Sequence, residues 1–237
     1  MDMFWKNHGI EKRDLLIPAS LLLGFIILSL SILWVGGKLG GESFVFGSTN
    51  TKTPGPTAGA IVKITDRKDA PRIGAGKVEL VVFSDFQCPF CQSFVNGAYK
   101  EIKQKYVDTG KVKLIFRHYP LSFHINAQKS GEAAECANRQ GQFFPYHDIL
   151  FAKAKSDGAG LDNASLKQYA KDLGLDTTKF NSCLDNGEAA AVVKADFAEG
   201  QKVGVSGTPT IFINGIKVVG AAPFANFETI IEAELKK

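Results

Sequence analysis

The sequence predicts an α/β fold in which a βαβ unit and a ββα unit are separated by a helical insertion, all behind one N-terminal membrane span. Three observations predict it. Positions 15–35 form a charge-free apolar run. Short stretches rich in Val, Ile and Phe stand at 77–86, 111–121 and 208–220. Between them, residues from about 126 to 203 carry helical period and propensity but no convincing strand. A chain of 237 residues with 45% hydrophobic content can bury an ordinary globular core.

The run "LLIPASLLLGFIILSLSILWV" (15–35) is long enough to cross a hydrocarbon layer, which takes about 20 apolar residues. It exceeds the apolar core of a cleaved signal, and no small-x-small cleavage pattern follows it, so a retained anchor is the expectation and a removed signal the alternative. Lys6, Lys12 and Arg13 precede the run and only Lys38 follows closely, which places residues 1–14 in the cytoplasm and the rest outside. Residues 36–60, rich in Gly, Ser, Thr and Pro, read as a flexible linker, and the folded domain as 61–237. The 28 basic and 24 acidic side chains form no block of like charge, so nothing marks a nucleic-acid binder. Four cysteines outside the reducing compartment suit disulfide pairing. Of three connectivities, Cys88 with Cys91 and Cys136 with Cys183 keeps the close pair together.

Each element follows in order. "KVELVVFSDF" (77–86) reads as a largely buried strand that ends as the cysteines arrive. From Cys88 to Lys105, Cys91, Phe94, Val95, Ala98 and Ile102 recur at spacings of three and four, which predicts a helix with Pro89 in its first turn. "KVKLIFRHYPL" (111–121) is the next strand, and a strand, helix and strand in succession imply a parallel pair. After the helical block, "TPTIFINGIKVVG" (208–220) predicts a hairpin with Asn214-Gly215 at its turn. "PFANFETIIEAELKK" (223–237) closes as an amphipathic helix entered at Pro223. Without the helical block, the order is that of a thioredoxin fold.

The pair in "CPFC" (88–91) can hold metal, staple a loop or cycle between dithiol and disulfide. A cysteine at a helix N-terminus faces unpaired N–H groups and the positive end of the helix dipole, which favour thiolate. That places Cys88 as nucleophile, at the more exposed edge of the turn, and Cys91, deeper by one turn, as the resolving thiol. A metal site needs further ligands, and His118, His124, His147, Cys136 and Cys183 show no close ligand spacing, so no metal is expected. Pro209 reads either as punctuation before a strand or as a cis-proline after Thr208, offering a backbone edge to an extended substrate.

"FSDFQCPFCQSF", "FRHYPLSFHINAQKSGEAAECANRQGQFFPYHDILF", "FNSCLDNG" and "VSGTPTIFINGIKVVGAAPFANF" together resemble the DsbA-like branch of the thioredoxin superfamily, in its membrane-tethered or secreted bacterial form. The resemblance implies Cys88 as nucleophile, Cys91 as resolving cysteine, Thr208-Pro209 as the cis-proline loop, a noncatalytic disulfide between Cys136 and Cys183, and no cofactor. It also implies thiol-containing secreted proteins as substrates and a membrane partner that reoxidises the pair. The middle residues are Pro89-Phe90 where the strongest oxidants of the branch have Pro-His. Phe90 supplies no charge or hydrogen bond to a thiolate, so a less extreme oxidant is expected, with Phe90 offering apolar contact to unfolded substrates. Asp85 is a candidate proton acceptor for the resolving thiol, acting through water, with a turn or cap role as its alternative. His118, His124 and His147 are candidate redox tuners. Asn163 fits a glycosylation acceptor and, more simply, a helix cap. Rival readings are a reductase or isomerase of the same fold and, from another class, a tethered metal-binding or chaperone-like module.

Overall fold

The structure, a computed structural model, describes residues 61–237. The expected span at 15–35 and linker at 36–60 lie outside the described residues. Among the described residues, no helix is long and apolar enough to cross a membrane.

A five-stranded sheet organises the domain: β1 (Arg72–Ile73), β2 (Val78–Ser84), β3 (Val112–His118), β4 (Thr210–Ile213) and β5 (Ile216–Val219), in spatial order β1-β3-β2-β4-β5. β2 and β3 run parallel from Val78↔Val112 to Ser84↔His118, as a βαβ crossover requires. The other three pairings are antiparallel. The β4–β5 turn is Asn214-Gly215, with φ of 45° and 84°. Two successive positive φ values are what a two-residue hairpin with the sheet's own twist demands, and Asn and Gly reach them at least cost.

Alternation along the strands builds two cores. Leu80, Val82, Leu114, Phe116, Ile211 and Ile213 join one buried cluster with α1 (Pro89–Asn96), α2 (Ala98–Ile102) and the C-terminal α8 (Phe224–Leu235). Val81, Phe83, Ile115 and Phe212 join a second with Val203 and Val205, against which Val62 and Ile64 of the entering chain also pack. Between β3 and β4 lie five helices: α3 (Ala127–Asn138), α4 (Phe143–Lys153), α5 (Asn163–Asp172), α6 (Thr177–Asp185) and α7 (Ala190–Lys202). The small residues Ala133, Ala134 and Ala137 of α3 let the large Phe143, Tyr146, Leu150, Phe180 and Leu184 close around it, all of them buried. Burying each of those large side chains is worth about 1.5–3 kcal/mol. Tyr146 also donates to the carbonyl of Leu166 at 2.8 Å, which satisfies its hydroxyl inside the core.

Two features depart from expectation. The helix predicted from Cys88 to Lys105 is interrupted at Gly97 (φ −108°, ψ −110°), resumes as α2, and ends in a π-helical turn at Lys103–Val107. Apolar spacing of three and four survives the break, so periodicity alone could not find it. β1 went unforeseen because two residues carry no alternation. It forms by pairing Arg72 and Ile73 with Ile115 and Leu114 at the sheet edge.

Candidate active site

β2 and α1 create the site. Alternation points Leu80, Val82 and Ser84 toward the face on which α1 packs, so the strand ends with a hydroxyl beneath the first turn of the helix. The chain then turns through Asp85–Gln87, where the amide of Cys88 donates to the carbonyl of Asp85 at 3.2 Å. Cys88 is the N-cap of α1 with extended backbone (φ −74°, ψ 122°), and Pro89 takes the first helical position, where its missing N–H costs nothing. The Cys88 carbonyl accepts the first helical hydrogen bond, from the Gln92 amide at 3.1 Å.

Both thiols are free. Cys91 is fully buried, and Cys88 is only 3% exposed, more enclosed than the exposed edge expected of a nucleophile. The cover comes from the far end of the sequence. Thr208 and Pro209, joined by a cis peptide, lie against the pair, and the Cys88 thiol donates to the Thr208 carbonyl at 3.4 Å. The Thr208 hydroxyl is buried and has no hydrogen-bond partner, which leaves it free to donate to a thiolate.

The pKa values of the two thiols are driven apart. A hydrogen bond from the Cys91 thiol brings the Cys88 pKa down to about 6. Burial opposes this, while the Thr208 hydroxyl and the backbone N–H groups of Cys91 and Phe90 add to it. Burial pushes Cys91 well up. Its hydrogen bond and charge interaction with Cys88 push it further, and the Ser84 and Thr208 hydroxyls offset only part of this. One sulfur is thus a ready thiolate and leaving group, the other a reserve of the proton. Ser84 is a site residue that sequence reading missed, although period-two alternation along β2 carried the signal.

The remaining candidate residues have partners of their own. Asp85 is buried, but its carboxylate is taken by the amide of Gln87 at 2.7 Å, the amide of Leu121 at 2.9 Å and His124 Nδ1 at 2.7 Å. It holds the 121–124 loop to the strand end, and its hydrogen bonds do not reach Cys91. None of the three candidate tuning histidines hydrogen-bonds either thiol. His124 is bound to Asp85, His118 Nε2 lies 3.0 Å from Glu135, and His147 Nδ1 lies 2.8 Å from Asp148. Burial among aromatic rings holds His147 below its ordinary value, and its link to Asp148 resists that only in part. Asn163 opens α5, while Asp162 is the cap, accepting from the Ser165 amide at 3.0 Å. Phe90, by contrast, stands 66% exposed beside Cys88.

The other two cysteines form a disulfide, Cys136–Cys183, joining α3 to α6 across 47 positions. His118, Glu135 and Asp196 bring three potential metal donors within 4.8 Å of one another. Their carboxylates are already matched: Arg117 Nε lies 2.5 Å from Asp196, and Arg67 reaches Asp196 at 3.2 Å and Glu135 at 2.8 Å. Two guanidinium groups supply the positive charge that a cation would bring, so the donor set suits an ion-pair network better than a metal.

A family model described as Thioredoxin matches residues 69–233. The chain is 37% identical over 139 residues to the Na(+)/H(+) antiporter NhaA 3 of Salinispora tropica, spanning 58% of this chain and 20% of that protein. The chain therefore covers about a fifth of that relative's length. It is 28% identical over 176 residues to the probable disulfide bond formation protein D of Bacillus anthracis, covering 72% of this chain and 77% of that one. The crystal structure of oxidised BdbD from Bacillus subtilis superposes with a TM-score of 0.68 at 26% identity, over 75% of this chain and 98% of that one.

Proposed function

The chain belongs to the thioredoxin family matched over residues 69–233, and from that premise we propose that it is a thiol-disulfide oxidoreductase acting on protein thiols outside the cytoplasm. The observation that carries this reading is the polarised pair: Cys88 at a helix N-cap with its pKa lowered to about 6, Cys91 sealed beneath it and held protonated. The names of the Bacillus relatives, disulfide bond formation protein D and BdbD, support it.

In the oxidising direction a substrate thiolate attacks Cys88 Sγ of the Cys88–Cys91 disulfide. The S–S bond breaks toward Cys91, which leaves as thiolate and takes up a proton. A second substrate thiolate then attacks the substrate sulfur of the mixed disulfide, and Cys88 leaves. The substrate loses two electrons and two protons, and the cysteine pair gains the two electrons. A leaving thiol of low pKa departs readily, so the stabilised Cys88 thiolate favours this direction. The lowered Cys88 pKa, with Phe90 in place of histidine, suits an oxidant weaker than the strongest of this branch. No cofactor takes part.

Exposed Phe90, Phe123 and Ile125 support an unfolded polypeptide substrate, since the loop that carries the latter two is fastened to Asp85 and Gln87, next to Cys88. The charge-free run at 15–35 supports a single-pass anchor with the catalytic domain outside the cytoplasm, and a membrane partner that removes the electrons completes the cycle. The test is oxidation of a reduced dithiol peptide by the purified, preoxidised chain. Stoichiometric peptide disulfide formation, lost in Cys88→Ser, is expected. Equal oxidation by Cys88→Ser sinks the proposal, and a Cys88–Cys91 pair found mostly reduced in cells assigns the chain to the reductase or isomerase direction instead.

A further inference from the structure

The CPFC turn is flanked by two glutamines, and both reach into the helical insertion. Gln87, immediately before Cys88 and buried, accepts from the amide of Asn126 at 2.9 Å and donates to the carbonyl of Ser156 at 3.3 Å. Gln92, immediately after Cys91, donates to the carbonyls of Phe151 at 2.8 Å and Ala154 at 3.1 Å. Those carbonyls belong to the end of α4, where the helix leaves acceptors without partners of its own. The segment 151–158 is therefore bonded to the chain on both sides of the cysteines.

The loop is shaped for this contact. Gly158 (φ 87°) closes a turn on the carbonyl of Lys155 at 2.9 Å, and its own carbonyl accepts from Asn126 Nδ2 at 2.9 Å. At φ 87° Gly158 takes a backbone conformation that favours glycine, and a Cβ there would lie 3.0 Å from Asn126 Nδ2 and 3.1 Å from Gln87 Nε2, so both side chains would have to give way.

We propose that Gln87 and Gln92 are positioning residues of the redox site: together they clamp the 151–158 segment of the helical insertion to the CPFC turn and hold Cys88 Sγ where the N–H groups of Phe90 and Cys91 and the Thr208 loop can reach it. The proposal rests on the redox reading of Cys88 and Cys91. It gives the insertion a role in tuning the thiol without placing any of its residues in contact with sulfur. A hydrogen bond to a thiolate weakens steeply as donor angles open, so loosening the turn takes stabilisation from the charged form alone.

The test titrates the Cys88 thiolate by its ultraviolet absorbance in the reduced chain, for Gln87→Leu, Gln92→Leu and a control, Gln140→Leu. Gln140 makes a similar clamp, accepting from the Asp176 amide at 2.9 Å and donating to its carbonyl at 3.2 Å, but within the insertion and between helices that carry neither Cys88 nor Cys91. Both site variants are expected to raise the Cys88 midpoint by at least one pH unit, about tenfold less thiolate on the acid side, with Gln140→Leu unmoved. Midpoints in Gln87→Leu and Gln92→Leu that stay with the control overturn the proposal. Should the leucine variants not fold, Gly158→Ala decides, since it pushes the loop from Gln87 and leaves the CPFC helix untouched: a raised midpoint supports the clamp, an unchanged one refutes it. A parent chain without exchange activity would sink the proposed function while leaving these titrations readable.

Discussion

The separation of the two thiol pKa values ties the stability of the reduced chain to pH. Cys88 titrates near 9 in the unfolded chain and is lowered to about 6 in the fold. Because the folded value is the lower, the stabilisation is fully present above the unfolded value and is lost as pH falls through the folded one. Three pH units correspond to about 4 kcal/mol, an order-of-magnitude figure, gained between pH 6 and pH 9 at close to 1.4 kcal/mol per unit. Cys91, raised by burial and by Cys88, stays protonated through this window and adds its opposing effect only where an unfolded thiol would ionise, near and above pH 9. The disulfide form has neither titration, so it is the internal reference. Denaturant unfolding of both forms at pH 5, 6, 7, 8 and 9 should show the dithiol form gaining on the disulfide form by several kcal/mol between pH 6 and 9, with Cys88→Ser losing that slope. A difference between the two forms that is flat across the window would refute the assignment of a buried, stabilised thiolate to Cys88.

Three other outcomes follow from the same geometry. Replacing Cys136 and Cys183 with alanine removes a crosslink across 47 positions, worth about 4 kcal/mol on chain-entropy grounds. The melting temperature should fall by roughly 8–16 °C with the Cys88 titration unchanged, and a shifted titration would place that disulfide within the redox machinery. Asp196→Ala leaves Arg67 and Arg117 without their shared buried carboxylate and should cost about 3–5 kcal/mol in thermal or denaturant unfolding. A loss under 1 kcal/mol would show that network to be incidental. Phe90→His places a protonatable donor beside the thiolate and should move the Cys88 midpoint below that of the parent in an absorbance titration. A midpoint that stays or rises contradicts the role given to position 90 in setting oxidant strength.

What could be read in advance was local. Val and Phe runs, Pro89 at a first turn and Asn214-Gly215 between apolar stretches each state their structure within a few residues, so the strand-to-helix junction and the hairpin were legible. The cysteine order and the Thr208-Pro209 pair marked the candidate site that the fold brings together. What escaped depends on partners far along the chain. Asp85 stands three residues before Cys88, but nothing local announces that its carboxylate binds Leu121 and His124 from the loop after β3. Arg67 meets Asp196 across 129 positions, and Gln92 meets the end of α4 across about 60. No periodicity records such pairings. Gly97 ends a helix whose apolar spacing continues beyond it, so the break is set by backbone freedom and leaves the side-chain pattern intact.

The central claim is that Cys88 exchanges disulfides with protein thiols and Cys91 resolves the intermediate. Its most direct test is to replace Cys91 with alanine in the full chain, express it in oxidising cells, and separate the products without reduction. Mixed disulfides joining Cys88 to other proteins, released by reductant and absent from the Cys88→Ser partner strain, are the predicted result. A Cys91→Ala chain that carries no protein through Cys88 would contradict the account.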